Sequence, residues 1–369
     1  MIEKPLFYIV KVAYTTIYCY GVVRKLNMIQ LGISKKLSFL MKHLLILTFV
    51  TMLAMTSQSC EKKAAVGPPE KITIAYSTAS NAILIYIAFT NSYFAEEGLD
   101  ATPQPHPFGK PALNAVIDGK ADVATVADTP IMFAVVNGRQ ITILAVIQTS
   151  NRNEAIIARK DRGIIKPSDL KGKKIGVTFM TNADFFAYTF LLAQGIDRDQ
   201  VKIIDMKPDE MAAALGTGRV DAVSTFNPTI KQLERGLGNK GAVFFGGSLY
   251  TENFCIVTMQ DYVKKHPEAI KKVLRALLRA ETFVQQNPDE ARRLVADFIK
   301  IDKALLDDIW PIFTTRVSLD QALLVDLEDQ TRWALKNRLT KSRIMPNYLD
   351  FIYVDGLSAV KPEAVRIFR

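Results

Sequence analysis

The residues with the clearest chemistry for ligand binding are polar side chains that follow directly after short apolar runs. Residues 175–177 have the pattern of a buried strand, and the polar stretch 178–182 separates them from an apolar stretch, 183–194, that is typical of a helix. Such a turn places free backbone N–H groups and the positive end of a helix at the carboxyl end of a strand. We therefore expect a polar or anionic ligand group at this turn, with Thr181 or Asn182 capping the helix.

The same strand–turn–helix unit occurs twice in the chain, and a second helix–strand unit follows each copy. The matching stretches are 71–78 with 174–181, Asn81-Ala82 with Asn182-Ala183, 115–123 with 214–222, and the polar turns at Asp128-Thr129 and Asn227. Two similar α/β lobes with polar turns at their strand ends predict a ligand held between the lobes. The alternative is a duplicated scaffold whose cleft binds nothing.

Residues that support catalysis or metal binding are scarce. Cys19 and Cys60 lie in the N-terminal region, which leaves Cys255 as a single cysteine in the body of the chain. His106 and His266 lack partners at metal-ligand spacing, and the sequence has no G-x-S-x-G motif. We therefore expect no catalytic residue, no metal site and no cofactor, and a binding protein rather than an enzyme.

The N-terminal region has the pattern of a secretory signal. Met41-Lys42-His43 precedes an apolar run over residues 44–55 that is too short for a comfortable membrane span, and small residues then lead to Cys60. This pattern resembles a bacterial lipoprotein signal, from which it departs at Ser57, where an apolar residue is usual. We expect 41–59 to be the signal peptide, Cys60 to be the lipidated first residue of the mature protein, and 60–70 to be a tether.

Residues 1–40 fit poorly in front of such a signal. They contain a second apolar stretch, 5–23, interrupted by Lys11. Either translation starts at Met41 and the extension is a misassigned start, or the extension is an additional membrane anchor. The complete signal after Met41 favours the first interpretation.

The basic character of the chain comes mostly from this leader. The full chain has 47 Lys and Arg against 37 Asp and Glu, a formal net charge of +10. Residues 1–59 hold seven of the basic residues and one of the acidic residues, so the rest has 40 against 36, a net charge of +4. The remaining basic residues are dispersed, and we expect no nucleic-acid partner.

Strands and helices of ordinary size alternate along the rest of the chain, which predicts an α/β fold with mainly parallel sheets flanked by helices. A loop is expected around 103–110. Two crossings, 154–160 and 251–258, predict hinge strands that lie next to each other. Lobe 1 then comprises 71–153 and 259–369, with the C-terminal helices packed on it, and lobe 2 comprises 161–250.

Several ordered motifs carry a family resemblance. They are 71–75 with Ser77-Thr78, 94–100, 119–122, 169–177, 218–222, His266-Pro267-Glu268 and 287–291. Together with the leader, this set resembles the substrate-binding proteins of bacterial ABC importers with the type II periplasmic-binding fold. More narrowly, it resembles the group that binds nitrate, taurine, aliphatic sulfonates and thiamine-related pyrimidines. Phe226-Asn227-Pro228 departs from the tryptophan or acidic residue common there, which leaves the ligand class open.

The resemblance implies ligand contacts at the turns of both lobes. The expected contacts are Tyr76, Ser77, Thr78, Phe108, Gly109, Asp128, Thr129, Thr178, Thr181, Asn182, Asn227 and Tyr250. Hydroxyl and turn N–H groups would bind polar ligand atoms, and the aromatic side chains would supply apolar or stacking walls. Helix N-termini favour an anionic group while Asp128 and Asp184 oppose one, so a small organic anion and a neutral heterocycle both stay open.

The resemblance also implies partners and a location. We expect an extracytoplasmic, lipid-anchored monomer that captures a small molecule by hinge closure and delivers it to an ABC permease. A protein that reports its ligand to a sensor kinase is one alternative. An enzyme on the same fold is another, but the pyrimidine synthase of this superfamily needs a Cys-rich segment and a reactive histidine, and neither is found here.

Overall fold

A computed structural model of the protein describes residues 68–368. The predictions for residues 1–40, for the signal peptide 41–59 and for lipidation of Cys60 lie outside the described residues.

Strands and helices alternate through the first two thirds of the described chain. The strands are β1 (Glu70–Ser77), β2 (Leu99–His106), β3 (Val123–Ala127), β4 (Ile141–Ser150), β5 (Glu154–Arg159), β6 (Lys174–Val177), β7 (Lys202–Asp205), β8 (Ala222–Phe226), β9 (Gly241–Phe245), β10 (Glu252–Met259), β11 (Thr314–Asp320) and β12 (Val365–Arg366). The helices are α1 (Ile83–Thr90), α2 (Tyr93–Glu96), α3 (Gly109–Ile117), α4 (Asp128–Val136), α5 (Asn182–Ala193), α6 (Met211–Thr217), α7 (Thr229–Leu237), α8 (Gln260–Lys265), α9 (Pro267–Gln286), α10 (Pro288–Ile299), α11 (Lys303–Ile309), α12 (Gln321–Lys336) and α13 (Val354–Val360).

The strands form two sheets, one in each lobe, which confirms the predicted two-lobe α/β architecture. The order in lobe 1 is β12-β11-β4-β10-β3-β1-β2, and the order in lobe 2 is β7-β6-β8-β5-β9. The duplicated strands β1 and β6 hold equivalent places, because each pairs in parallel with two neighbours. The sheets are mixed rather than mainly parallel, since β10 and β5 run antiparallel to both of their neighbours.

The two crossing strands lie in different sheets, contrary to the expectation that they would be neighbours. β5 pairs with β8 and β9 in lobe 2, and β10 pairs with β3 and β4 in lobe 1. The physical reason is burial: residues 155–158 and 254–258 are fully or almost fully buried, and only a central position in a sheet satisfies their backbone groups. The chain passes between the sheets at residues 151–153 and 246–251.

The loop expected around 103–110 is in part a strand. β2 pairs with β1 over its whole length, with Pro103 opposite Ile74 and Pro105 opposite Tyr76. Proline is tolerated there because β2 is the edge of the sheet and proline has no N–H to donate. The two prolines are two positions apart, so they share one backbone orientation, with the missing donors facing away from β1.

The C-terminal part packs on lobe 1, as predicted. Helix α9 lies against α1 and buries one face, which includes Ile270, Val273 and Leu277. Helix α12 begins only at Gln321, because the preceding residues form β11 beside β4. Val317 and Leu319 of this strand are fully buried. The C-terminal segment therefore extends the lobe 1 sheet as well as covering it.

Candidate functional site

Turns from both lobes meet in one narrow cleft. Its walls are Asn81, Phe108, Gly109, Lys110, Ala127, Pro130 and Phe254 from lobe 1, and Thr181, Asn182 and Phe226 from lobe 2. Phe108 and Phe226 face each other across it, with ring centroids 6.1 Å apart. The remaining space is about 10 Å³, roughly the volume needed for one water molecule. The structure therefore shows the lobes closed on each other.

A pair of buried glutamates lies directly behind Asn182. Glu154 and Glu252 are the first residues of β5 and β10 and are 2% and 1% exposed. The Asn182 Nδ2 donates to Glu154 Oε1 and, at 2.9 Å, to Glu252 Oε1. The Asn153 Nδ2 donates to Glu252 Oε2 at 2.8 Å and to Glu154 Oε1 at 3.3 Å. Two amide groups thus bridge two carboxyl groups that belong to different sheets.

Asp128, at the first position of α4, is a third fully buried acid. Its Oδ1 accepts a hydrogen bond from the Tyr250 hydroxyl at 2.5 Å and one from the Thr129 N–H at 2.9 Å. Its Oδ2 accepts from the backbone and side-chain nitrogens of Asn253, each at 3.1 Å. The same Asn253 Nδ2 lies 2.8 Å from Asp326 Oδ2. Asn253 therefore links Asp128 to a fourth, half-buried acid.

These acids lack a cationic partner within the described chain. No Lys, Arg or His side chain of residues 68–368 lies within ion-pair distance of Glu154, Glu252 or Asp128. Burial raises the pKa of Glu154 to about 8. Burial and the charge of Glu154 raise the pKa of Glu252 well above its usual range, and burial raises that of Asp128. Burial and the nearby Asp128 charge raise the pKa of Asp326 to about 6.

Among residues 68–368, Lys110 is the one cation that lines the cleft. Its Nζ donates to the Phe179 carbonyl oxygen at 2.9 Å, and this bond joins lobe 1 to lobe 2. Burial lowers the pKa of Lys110, and the charges of Asp205 and Asp184 partly offset that effect. The lysine thus serves as a contact between the lobes in the closed cleft.

Acidic side chains occupy two of the helix N-termini that the sequence suggested for an anion. At α5, the Asp184 carboxylate accepts from the Met180 N–H at 3.1 Å and lies 3.5 Å from Arg198. At α4, Asp128 accepts from the N–H of Thr129. The predicted cap is not made, since the Thr181 hydroxyl donates to the Thr178 carbonyl at 2.7 Å. Both turns therefore have an internal carboxylate where an anionic ligand group was expected.

The structure brings part of the predicted contact set to the cleft. Phe108, Gly109, Thr181 and Asn182 line it, while Asp128 and Tyr250 form the buried network described above. Asn227 is 2% exposed, its N–H donates to the Asn153 carbonyl at 3.1 Å, and its Oδ1 has no hydrogen-bond partner. Thr129 is fully buried and its Oγ1 also has no partner.

The other predicted contacts make internal interactions. The Tyr76 ring packs in lobe 1 against Tyr86, Phe89 and Phe298, with centroids 5.7 to 6.0 Å apart. The side chains of Ser77, Thr78 and Thr178 form hydrogen bonds within their own lobes. The Ser77 Oγ accepts from the Ala79 N–H. The Thr78 hydroxyl donates to the His106 carbonyl, and the Thr178 hydroxyl donates to the Met206 carbonyl. These side chains shape the turns and do not line the closed cleft.

Sequence reasoning missed several residues of the site. Asn81, Lys110, Glu154, Glu252 and Phe226 were absent from the predicted set. One signal was present: Asn81 holds the same place in the duplicated unit as Asn182. A second signal was an acidic residue opening each apolar crossing strand, as in Glu154-Ala155-Ile156.

Two further observations concern residues 68–368. No group of three His, Cys, Asp or Glu side chains in this range is arranged to hold a metal ion. None of the helices in this range is both long and apolar enough to cross a membrane.

Comparisons with known proteins agree with this architecture. The chain is 25% identical over 221 residues to the taurine-binding periplasmic protein of Escherichia coli (strain K12), covering 59% of this chain and 68% of that protein. It is 27% identical over 222 residues to the formylaminopyrimidine-binding protein of Halalkalibacterium halodurans, covering 56% and 63%. The alkanesulfonate-binding protein of Xanthomonas axonopodis pv. citri shares the fold, with a TM-score of 0.69 at 18% identity over 77% of this chain and 98% of the other.

The sequence model of one family spans both lobes. It matches residues 79–291, which include the turns at Asn81 and Asn182 and both crossing strands. The match covers more than half of the chain, and the resemblance drawn from the sequence is confirmed. The chain belongs to the NMT1/THI5-like family.

Proposed function

We propose that this protein is the extracytoplasmic solute-binding component of an ABC importer, which holds one small molecule between its lobes and delivers it to a membrane permease. The observation that carries the proposal is the cleft itself. Turns from two duplicated lobes converge there, and hydrogen bonds such as Lys110 to Phe179 join the lobes across it. The relatives named for taurine and formylaminopyrimidine are binding proteins, which supports the same role.

The mechanism is closure of the lobes about the two crossings. Asn182 in lobe 2 and Glu252 in lobe 1 are hydrogen-bonded only when the lobes are together. A solute that contacts both lobes adds interactions that the open form lacks, so binding shifts the population towards the closed form. The crossings at 151–153 and 246–251 are short, which restricts the motion to rotation of one lobe against the other.

The chemistry of the site supports binding rather than catalysis. Cys255 is buried in β10, and burial raises the pKa of its thiol well above the usual range, so the reactive thiolate is disfavoured. The buried acids are held by amide and hydroxyl donors rather than directed at a nucleophile. We propose that the protein releases its solute unchanged.

Delivery to a permease requires the protein to stay near the membrane. We propose that Cys60 carries the lipid anchor, that 60–70 is the tether, and that the anchored protein acts as a monomer. Mass spectrometry of protein extracted from membranes should show an acylated N-terminal cysteine. An unmodified N-terminus upstream of Cys60 would contradict the anchor and leave the binding role intact.

A melting-temperature screen tests the proposed function. Taurine, alkylsulfonates, nitrate, aromatic carboxylates and pyrimidines are added in turn, because a solute that binds only the native form at 100 times its Kd stabilises it by about 2.7 kcal/mol. Thr181→Leu, which puts bulk into the cleft, should remove the shift. Thr217→Leu, at an exposed position of lobe 2, is the matched control. A solute that stabilises the Thr181 variant as much as the parent would place binding outside the cleft.

A further inference from the structure

We propose that the cleft recognises its solute through a cationic nitrogen group, an ammonium or an amidinium, which binds to Glu154 and Glu252 in the place that the Asn182 amide holds in the closed structure. The inference rests on the proposed function and names the ligand class for the same site. It follows from three independent observations of the side chains behind the cleft.

The first observation is the charge of the buried groups. Glu154, Glu252 and Asp128 are each at least 98% buried, and no cation of residues 68–368 pairs with them. An ionised carboxylate away from water is costly unless a partner of opposite charge accompanies it. A ligand that brings a positive charge supplies the partner that the described chain lacks.

The second observation is an unsatisfied hydrogen-bond acceptor in the wall of the cleft. Asn81 lines the cleft and is 4% exposed, yet its Oδ1 has no hydrogen-bond partner. Asn153 and Asn227 are also buried, and their Oδ1 atoms likewise have no hydrogen-bond partner. A ligand rich in N–H donors satisfies such atoms, and an ammonium offers three donors.

The third observation is the position of Asn182. Its Nδ2 reaches both glutamates at one point, so it already acts as an N–H donor group between two carboxyls. Asn182 belongs to lobe 2 and Glu252 to lobe 1, so opening of the cleft separates them. A nitrogen group of a solute can then enter between the acids before the lobes close again.

The positive groups of the cleft favour an anionic ligand less than the buried acids favour a cationic one. Lys110 bonds to the Phe179 carbonyl, and the N-terminal turns of α4 and α5 are occupied by Asp128 and Asp184. The first turn of α3, which begins at Gly109 beside Lys110, has no acidic residue. A solute with a second, anionic end can direct that end to this helix N-terminus, whereas a simple anion brings no positive group to the buried acids.

Calorimetric titration with matched probes tests this inference on the full protein. The pairs are taurine with ethanesulfonate, and benzamidine with benzamide, with nitrate as a single probe. We expect taurine or benzamidine, which carry a cationic nitrogen group, to bind, and the partner without the cation to bind about 10- to 100-fold more weakly, as for loss of hydrogen bonds to charged groups. Binding of ethanesulfonate or nitrate as tight as that of taurine, or no binding of taurine or benzamidine, overturns the inference.

Isosteric variants locate the contact. Glu154→Gln and Glu252→Gln keep the side-chain shape and remove the charge, so each should weaken binding of the cationic probes taurine and benzamidine about 10-fold or more. Glu281→Gln is the control, since Glu281 is a buried glutamate that lies 3.3 Å from Lys361 and accepts from the Val317 N–H. Unchanged affinity in both cleft variants overturns the inference.

The same titrations separate this inference from the proposed function. An anion that binds and closes the lobes, as seen by X-ray scattering, refutes the cationic class and leaves solute capture standing. Binding of taurine or benzamidine without closure of the lobes supports the cationic class of ligand and contradicts capture between the lobes.

Discussion

Asn182 is the side chain on which the closed cleft depends most directly, because its amide donates to two buried carboxyls at once. Asn182→Ala removes both hydrogen bonds and leaves Glu154 and Glu252 with fewer donors. We expect the free energy of unfolding to fall by about 1–3 kcal/mol, the cost of leaving a buried polar group unsatisfied. Denaturant titration measures it, with Asn239→Ala at an exposed position of lobe 2 as the control. Equal stability of the two variants would show that the bridge is not formed in solution.

The buried acids predict an unusual pH dependence of stability. Glu154, with a pKa raised to about 8 from 4.5, binds more protons in the folded protein than in the unfolded chain between those values. Its contribution to stability is therefore complete below about pH 4.5 and is lost as the pH rises through about 8. Glu252, Asp128 and Asp326 shift in the same direction. Thermal melts of the ligand-free protein should show Tm falling across this range.

The variant Glu154→Gln provides the control for that trend. A glutamine does not titrate, so the decline in Tm between about pH 4.5 and 8 should become shallower, while Glu268→Gln on the surface should leave it unchanged. Stability that rises with pH over this window in the parent protein would mean that the acids are ionised in the folded state or reach water.

Sequence reasoning at the residue scale found the donors of the site better than the acids. Asn182 was identified because it lies at a turn between a strand and a helix, whereas Asn81 was not placed in the contact set although the duplication makes it the equivalent of Asn182. The glutamates were missed because their role depends on pairing across the fold: Asn153 and Glu252 are 99 positions apart yet share a hydrogen bond of 2.8 Å. No local pattern of charge or hydropathy encodes that contact.

At the scale of elements, Gly109 sets how closely α3 approaches the sheet. A Cβ at this position would lie 2.8 Å from the Val126 Cα, a backbone atom of β3 that cannot move aside cheaply. We expect Gly109→Ala to push α3 away from β3, to lower stability by about 1–3 kcal/mol as overpacking does, and to displace the adjacent Phe108 wall. Denaturant unfolding and the affinity of a confirmed solute measure the two effects.

Gly216 offers a matched control for that substitution. It is an exposed position of α6 in lobe 2, and nothing lies within 4 Å of a Cβ added to it. Gly216→Ala should therefore be neutral or stabilise the protein by about 0.5–1 kcal/mol through helix propensity. A loss of stability at Gly216 equal to that at Gly109 would indicate that steric contact with β3 is not the cause.

The elements that the sequence placed well are those with strong local patterns. The duplicated strand–turn–helix units around β1 and β6 were recognised, with ends shifted by a few residues. Strand β2 was missed because Pro103 and Pro105 are typical of loops, and only the edge position in the finished sheet makes them acceptable. The prediction that β5 and β10 would be neighbours was wrong because the partners of a strand are decided by long-range packing, which the local sequence does not show.

At the scale of the whole molecule, the internal duplication was sufficient to predict two lobes with a cleft between them. The sequence could not show how far the cleft closes, because closure depends on contacts that form only between the lobes. Lys110 with Phe179, Phe108 with Phe226, and Asn182 with Glu252 are such contacts. With about 10 Å³ left in the closed cleft, entry of any solute requires the lobes to separate first.

Small-angle X-ray scattering tests the central claim, that the protein captures a solute by closing two lobes around it. The radius of gyration is measured without ligand and during titration with the solute that gives the largest melting shift. The account predicts a larger radius in the free protein and a decrease that saturates at one solute per chain, as the open population converts to the closed one. A solute that binds at this stoichiometry and leaves the radius of gyration unchanged would contradict it.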